Sequence, residues 1–174
     1  MKIIVAVDER WGIGYKNDLL FSIPEDKSFF KRITAGKVVI MGYNTLKSLP
    51  KGLPLKNRVN IVLTRKEGFS QEGVIVCSSI KTLWGILPEY CGSDLFVIGG
   101  ESIYAQLLNY CDEAYVTKVL EVREADRFFP DIDRDNNWEM AEESTIQTSG
   151  DISFRFCRYI NKSPSDPASS VFEC

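Results

Sequence analysis

The chain has 174 residues, with 21 Lys and Arg against 24 Asp and Glu, a formal net charge of −3 and no histidine. A hydrophobic fraction of 44% is typical of one globular domain and excludes an intrinsically disordered chain. The absence of histidine excludes Ser-His-Asp and Cys-His catalytic sets and histidine-based zinc motifs, so proton chemistry must use a carboxylate, Lys, Tyr or water.

The chain begins with a buried strand, a long loop and a helix. Residues 2–7 are a continuous apolar, β-branched run, which predicts a buried strand. The loop 8–21 is long and carries glycines and apolar residues, so we interpret it as a lid. Ser22 and Glu25, with Pro24 between them, predict a capping box at the start of the helix.

Strands and helices then alternate along the chain. Further strands are predicted at 37–41, 58–64, 73–77, 94–98 and 113–120, with two late strands of which the last is 152–160; helices are predicted up to residue 35, at 45–49, from Ser79 to 87, and after Gly99-Gly100. This order predicts a single α/β domain over residues 1–161, with a central, mostly parallel twisted β-sheet, an antiparallel C-terminal strand pair and helices on both faces. The Ser- and Pro-rich residues 162–174 are expected to form a flexible tail.

Asp26 is the most informative single residue. It lies four residues before Phe30 and seven before Ile33, so on a helix it shares their apolar stripe. One interpretation is that it only complements the positive end of the helix dipole. The other is a functional carboxylate, because an acid that faces the core without a basic partner is costly and perturbed carboxylates cluster at functional sites.

Two strand-to-helix turns carry glycine. Gly42 precedes Tyr43, and Gly99-Gly100 precedes Glu101. Neither turn matches a dinucleotide fingerprint or a P-loop, so simple tight turns are one interpretation. The other is a phosphate ligand, because helix N-termini at the carboxyl ends of parallel strands bind anions.

Two arginines flank the third major strand. Arg65 follows it and is either a solvated loop charge or a phosphate ligand, and Arg58 begins it and could bind a carboxylate.

Charge and cysteine usage limit the partners. A mildly acidic chain gives no reason to expect nucleic acid. The five cysteines include no C-x-x-C pair, which predicts neither a metal site nor a disulfide framework and suits a reducing compartment. The first apolar run is too short for a signal peptide or a membrane span. We therefore expect a cytoplasmic protein without metal, nucleic-acid or membrane partners.

These segments, in this order, resemble the dihydrofolate reductase family over nearly all of residues 1–160. The resemblance lies in the segments IVAVDERWGIGYKNDLLFSIPEDKSFFKRIT, KVVIMGYNTLKSL, PLKNRVNIVLTR, FVIGGESIYAQLL, YVTKV and ADRFFPDID. It implies NADPH-dependent hydride transfer to C6 of 7,8-dihydrofolate with protonation at N5. It also implies inhibition by antifolates, and we expect a monomer.

The resemblance also implies roles for individual residues. The catalytic set would be Asp26, Thr117, Phe21 and Leu19, with Asp26 holding the pterin and accepting a hydrogen bond from Thr117. Substrate would be bound by Ile4, Val5, Asp26, Phe30, Leu49, Leu55, Ile98 and Thr117, with Arg58 on the glutamate α-carboxylate. NADPH would be bound by Ala6, Ile13, Gly14, Gly42, Tyr43, Asn44, Thr45, Thr64, Arg65, Ser78, Gly99, Gly100, Glu101, Ser102, Ile103 and Tyr104. The Gly99-Gly100 peptide bond is expected to be cis.

Three departures from the family pattern bear on these roles. Leu20-Phe21 stands where the family usually has Pro-Trp, and Phe21 has no N–H donor for an ordered water. Tyr43 replaces a basic residue and weakens one phosphate contact. Ala125 replaces a glycine common in some bacterial members, which puts their loop-closing hydrogen bonds in doubt. Two alternatives remain: an NADPH-dependent pyrimidine reductase of riboflavin synthesis, and a non-catalytic relative that binds folate or nucleotide.

Overall fold

A computed structural model describes residues 1–166, so residues 167–174 of the predicted tail lie outside the described residues. The strands are β1 Lys2–Val7, β2 Gly12–Tyr15, β3 Asp18–Leu19, β4 Val38–Gly42, β5 Val59–Leu63, β6 Val74–Cys77, β7 Leu95–Gly99, β8 Glu113–Val119, β9 Arg127–Phe128, β10 Trp138–Glu143, β11 Gln147–Ser149 and β12 Ile152–Asn161. The helices are α1 Pro24–Thr34, α2 Tyr43–Ser48, α3 Ile80–Ile86 and α4 Glu101–Leu107, and short 3₁₀ turns lie at Pro50–Gly52, Leu87–Tyr90 and Leu108–Tyr110.

Six parallel strands form the centre of the main sheet, in the order β8-β1-β7-β4-β5-β6. β12 pairs antiparallel with β8, and β10 and β11 pair antiparallel with β12. The predicted α/β fold with a mostly parallel sheet and antiparallel C-terminal strands is therefore confirmed. Because all six parallel strands end at the same edge, their carboxyl ends bring the loops after β1, β4 and β7 together.

Both faces of the sheet are covered by helices. On one face, α3 and α4 pack against residues such as Ile3, Val5 and Ile40, and on the other, α1 and α2 pack against residues such as Ile4 and Val39. Neighbouring residues of one strand point to opposite faces, so strands covered on both sides read as continuous apolar runs. This explains why the patterns of β1 and β4 predicted buried strands correctly. None of the helices in residues 1–166 is long and apolar enough to cross a membrane.

Three local predictions are wrong. The capping box does not form, because Ile23 and not Ser22 is the N-cap residue of α1, and no side chain caps this helix. The Ser22 hydroxyl instead accepts a hydrogen bond from Lys27 Nζ at 2.7 Å, and Glu25 is hydrogen-bonded to Ser149. The late region holds three strands instead of two, because β11 adds a short pair along β12.

The loop 8–21 is the third correction, since it contains the β2–β3 hairpin, which also pairs with β9. Its two turn residues, Lys16 and Asn17, both have positive φ, as a two-residue hairpin turn requires.

The first residues after the domain are attached to it. Lys162 N–H donates to the Asn137 carbonyl at 2.8 Å, and Ser165 N–H donates to the Asn109 carbonyl at 2.7 Å. The domain boundary at residue 161 and the flexibility of the tail stay predictions.

Candidate active site

Asp26 and Thr117 meet across α1 and β8. The Thr117 hydroxyl donates a hydrogen bond of 2.6 Å to Asp26 Oδ1, so the predicted bond is present. Thr117 is buried and Asp26 is partly buried. The carboxylate therefore faces the protein interior from the first turn of α1. Among the described residues it forms no ion pair with an arginine or lysine.

Burial raises the pKa of Asp26 above the ordinary range of an aspartic acid. The Thr117 hydrogen bond and the positive charge of Lys27 act in the opposite direction, but burial has the largest effect on this pKa. A carboxyl group with a raised pKa can hold a proton, or share it with a bound base, at a higher pH than a solvated one. Asp26 is therefore the candidate for the acid–base group that the missing histidine leaves to a carboxylate.

An apolar wall lies on the same face of the sheet. Ile4 belongs to the core cluster of this face, and four further predicted substrate-binding residues pack against it: Phe30, Leu49, Leu55 and Ile98. All four are partly buried, so each has surface available to a ligand. Val5 is different, because its side chain lies in the cluster on the opposite face, and only its backbone can face this wall.

Arg58 is held in a fixed orientation at the rim of this wall. Its Nε donates to Thr34 Oγ1 at 2.8 Å, and its terminal nitrogens donate to the Lys56 carbonyl at 2.8 Å and the Lys31 carbonyl at 3.3 Å. Thr34 in turn donates to the Phe30 carbonyl at 2.7 Å. A guanidinium has five N–H donors, so within residues 1–166 one N–H remains on each terminal nitrogen. A carboxylate can accept two N–H groups of one guanidinium, so Arg58 retains enough donors to bind one.

The two glycine turns lie side by side, because β4 and β7 are neighbouring strands. A Cβ added at Gly42 would lie 3.1 Å from Ile103 Cγ1, and one added at Gly100 would lie 3.2 Å from Thr45 Oγ1. The Gly99-Gly100 peptide bond is cis, as expected. A side chain at either glycine would therefore require its neighbour to shift by a few tenths of an ångström. Gly42 and Gly100 also leave the first N–H groups of α2 and α4 without a side-chain cap.

Other predicted cofactor residues surround these turns. Asn44 and Ser102 are exposed on the first turns of α2 and α4, Thr64 and Arg65 follow β5, and Ser78 follows β6. The Tyr104 hydroxyl donates to the Ile4 carbonyl at 2.8 Å, which ties α4 to β1. Glu101 accepts a hydrogen bond of 3.0 Å from Phe128 N–H, so its carboxylate faces β9.

Two lysines surround Tyr43, the residue that replaces a basic one. Lys66 Nζ donates to the Tyr43 hydroxyl at 3.3 Å and lies 5.0 Å from its ring centroid, and Lys47 Nζ lies 5.6 Å from that centroid. Positive charge is therefore present beside the Gly42 turn although position 43 is neutral. Sequence reasoning missed both lysines.

The sequence does carry a signal for this charge. Residues 27–66 contain ten Lys and Arg but no Asp or Glu, although the whole chain is net acidic. This segment covers α1 from Lys27 onward, β4, α2 and β5, which form one side of the apolar wall and the Gly42 turn. A site for a polyanionic ligand would benefit from such a distribution of charge.

The 8–21 region is closed against the loop before β9. Asp126 N–H donates to the Gly14 carbonyl at 3.0 Å, and Lys16 N–H donates to Asp126 Oδ2 at 3.2 Å. Hydrogen bonds between the two loops are therefore present although Ala125 replaces glycine. The reason is Gly12: a Cβ at this position would lie 2.8 Å from the Ala125 Cβ. The methyl group of Ala125 occupies space that Gly12 leaves free.

The remaining residues of the predicted catalytic set differ in position. Phe21 is buried in a cluster with Ile23, Val119 and Phe154. Leu19 is 67% exposed and does not belong to the core clusters of the described chain. Ala6 at the end of β1 and Ile13 in β2 are partly buried.

Comparison with known proteins identifies related sequences. The family model described as Dihydrofolate reductase matches residues 1–161. Similar proteins named dihydrofolate reductase occur in Bacillus subtilis (strain 168), with 38% identity over 95% of this chain and 96% of that protein, and in Neisseria gonorrhoeae, with 35% identity over 92% and 97%. A third, from Staphylococcus aureus (strain N315), is 32% identical over 93% of this chain and 98% of that protein.

Proposed function

Because the chain belongs to the dihydrofolate reductase family and is an enzyme that reduces dihydrofolate, we propose that it does so with NADPH at the site around Asp26. The observation that carries this assignment is the partly buried carboxylate of Asp26, which Thr117 holds against an apolar wall. The wall accepts a flat aromatic ligand, and the carboxylate accepts hydrogen bonds from its edge.

The substrate lies along the wall, from Asp26 to Arg58. Asp26 binds the N3 and 2-amino groups of the pterin, and Ile4, Phe30, Leu49, Leu55 and Ile98 contact the pterin and aminobenzoyl rings. Arg58 binds the glutamate α-carboxylate with its two remaining N–H groups. Antifolates that share these groups bind in the same place.

NADPH supplies the hydride when it is bound. The packing at Gly42 and Gly100 fits a diphosphate, because backbone N–H groups can approach a phosphate closely only where no side chain intervenes. Residues 42–45 and 99–104 bind the diphosphate, with Lys47 and Lys66 adding charge. Ala6, Ile13 and Gly14 contact the nicotinamide end with their backbones, and Thr64, Arg65 and Ser78 bind the 2′-phosphate.

The protein's part in the proton step belongs to Asp26. Burial raises its pKa, so the carboxyl group shares a proton with the bound pterin at higher pH than a solvated acid would. The proton reaches N5 through water, and Phe21 offers this water no hydrogen-bond donor. Thr117 orients the carboxylate without transferring a proton.

The test is oxidation of NADPH that depends on 7,8-dihydrofolate and is blocked by methotrexate. The riboflavin-pathway alternative predicts turnover with a pyrimidine substrate, and the non-catalytic alternative predicts binding without turnover. The set Asp26, Phe30, Arg58 and Thr117 supports dihydrofolate, since it provides for both a pterin and a carboxylate tail. No dihydrofolate-dependent oxidation would refute the proposal.

The location of the protein is proposed from its cysteines. Four of the five, Cys77, Cys91, Cys111 and Cys157, are free in the described chain, which suits a reducing cytoplasm. We propose a monomer.

Replacing Arg65 by alanine is expected to raise the KM for NADPH about tenfold, at the lower end of what a charge-assisted hydrogen bond contributes. The effect is limited because Arg65 is exposed and Lys66 remains beside the site. NADH lacks the 2′-phosphate and serves as the matched control, with a KM changed by less than about twofold. Equal losses for both cofactors, measured in steady-state assays, would mean that another residue reads the phosphate.

Replacing Thr117 by valine is expected to move the falling limb of the pH–rate profile to higher pH. The Thr117 hydrogen bond lowers the pKa of Asp26, so its loss lets burial raise that pKa further. The reaction consumes a proton, and its rate therefore falls as pH rises through this pKa. Thr117→Ser keeps the hydroxyl and should leave the midpoint in place. A midpoint that stays or falls in Thr117→Val would contradict the assignment.

A further inference from the structure

Arg123 contacts the end of the segment 8–21 with its side chain. One terminal nitrogen donates to the Leu20 carbonyl at 2.9 Å, and the guanidinium carbon lies 4.4 Å from the centroid of the Phe21 ring. Glu121 accepts hydrogen bonds from Nε at 3.2 Å and from the other terminal nitrogen at 3.1 Å. The guanidinium is thus oriented by one carboxylate, one carbonyl and one aromatic face.

The backbone of Arg123 contacts the beginning of the same segment. Its N–H donates to Asp8 Oδ2 at 3.1 Å. The Asp8 carboxylate is buried and also accepts from Gly12 N–H at 2.7 Å and from Arg10 N–H at 2.8 Å. One residue therefore bonds to both ends of a segment from which it is about a hundred positions away in sequence.

The position of Phe21 matters for the Asp26–Thr117 pair. Phe21 packs against Val119, which lies two residues after Thr117 on β8 and hence on the same face of the sheet. It also packs in the same cluster as Ile23, the residue immediately before α1, the helix that carries Asp26. A displacement of Phe21 would therefore disturb both elements that hold the Asp26–Thr117 pair.

The Phe21 ring cannot donate a hydrogen bond, so its position depends on packing in its cluster and on the guanidinium above its face. The charge-assisted bond from the same guanidinium to the Leu20 carbonyl fixes the neighbouring backbone. We propose that Arg123 is a positioning residue for hydride transfer, which holds Leu20 and Phe21 in the cluster with Ile23 and Val119 and thereby fixes the neighbouring Asp26–Thr117 pair. This inference rests on the proposed function of that site.

The test is the rate of hydride transfer in single turnovers, with dihydrofolate and NADPH, for a set of Arg123 variants. Arg123→Met keeps the apolar stem and should lower the rate about tenfold, the effect expected from losing one charge-assisted contact in the reactive geometry. The KM for dihydrofolate should change less than about twofold, because Arg123 does not touch the substrate. Arg123→Lys keeps a cation and should recover part of the lost rate.

Two controls separate this role from general destabilisation. Arg134→Met removes an arginine whose side chain is 89% exposed and whose ion pair is with Asp131, three residues away, and it should leave the rate unchanged. Phe21→Leu removes the ring, and the effects of Phe21→Leu and Arg123→Met should be less than additive in the double variant, because both changes break the contact between the guanidinium and the ring.

Three results would overturn the inference: an Arg123→Met rate within about twofold of the unchanged chain, additive effects in the double variant, or no recovery in Arg123→Lys. The unchanged chain distinguishes this failure from that of the proposed function. If it shows no dihydrofolate turnover, the proposed function fails; if it turns over and Arg123→Met does the same, only the role of Arg123 fails.

Discussion

Replacing Asp26 by asparagine is expected to lower dihydrofolate-dependent turnover at neutral pH about a thousandfold, within the range that a positioned acid–base group contributes. Asparagine has the same shape and can still accept the Thr117 hydrogen bond, but it neither carries the charge nor holds the proton. NADPH binding, followed by nicotinamide fluorescence, should stay within about twofold of the unchanged chain, because the glycine turns are separate from Asp26. Near-normal turnover would remove Asp26 from the mechanism.

The same variant gives an independent check from stability. Burial raises the pKa of Asp26 in the folded chain above its ordinary value in the unfolded chain. The folded state then binds more protons than the unfolded state between these two pKa values, so stability falls as pH rises through that window. Asparagine does not ionise, so Asp26→Asn does not lose this stability and should melt at a higher temperature than the unchanged chain at neutral pH. The advantage should disappear below the ordinary aspartate pKa, and a lower melting temperature at neutral pH would contradict the burial effect.

Replacing Arg58 by methionine is expected to raise the KM for dihydrofolate about a hundredfold, which corresponds to about 2.7 kcal/mol for the loss of a paired carboxylate contact. The effect is large because Thr34, Lys56 and Lys31 already hold the guanidinium, so binding the substrate requires little further ordering. The rate at saturating substrate should change much less, since in the proposed binding mode Arg58 contacts the glutamate tail and not the pterin.

Two comparisons make the Arg58 result specific. A dihydropterin without the benzoylglutamate tail should be reduced equally well by the variant and the unchanged chain. Arg32→Met removes a positive charge from α1, the helix whose Thr34 and Lys31 hold Arg58, and should change the KM far less. The Arg32 guanidinium lies 5.5 Å from the Phe29 ring. An equal effect on both substrates, or an equal effect of both arginine changes, would mean that Arg58 does not bind the tail carboxylate.

The features predictable from the sequence are those with local causes. The buried strands β1 and β4 follow from apolar runs, and the cap of α3 follows from Ser79, whose side chain accepts from Thr82 N–H at 3.1 Å. The apolar stripe of α1 correctly predicted that Asp26 faces the interior. The capping box at Ser22 and Glu25 failed although its spacing was correct, because Lys27 and Ser149 compete for these side chains.

The features that could not be predicted depend on distant parts of the chain. Lys16 and Asn17 make a hairpin turn without the Asn-Gly pattern, and pairing of β2 with β9 supports it. The absence of a side chain at Gly12 is explained only by the Ala125 methyl group that packs against it. Arg123 contacts Leu20 and Phe21 although about a hundred residues separate them in sequence. Such pairs leave no periodicity in a single sequence, so only the folded structure places them together.

The proposed reaction is the transfer of hydride from NADPH to C6 of dihydrofolate at a site that depends on the Asp26 carboxylate. The most direct measurement follows deuterium from the reactive C4 position of labelled NADPH into the product, with the unchanged chain and Asp26→Asn side by side. The unchanged chain should give tetrahydrofolate with deuterium at C6, and Asp26→Asn should label it about a thousandfold more slowly. Product without deuterium at C6, or equal labelling rates for the two proteins, would refute hydride transfer at the Asp26 site.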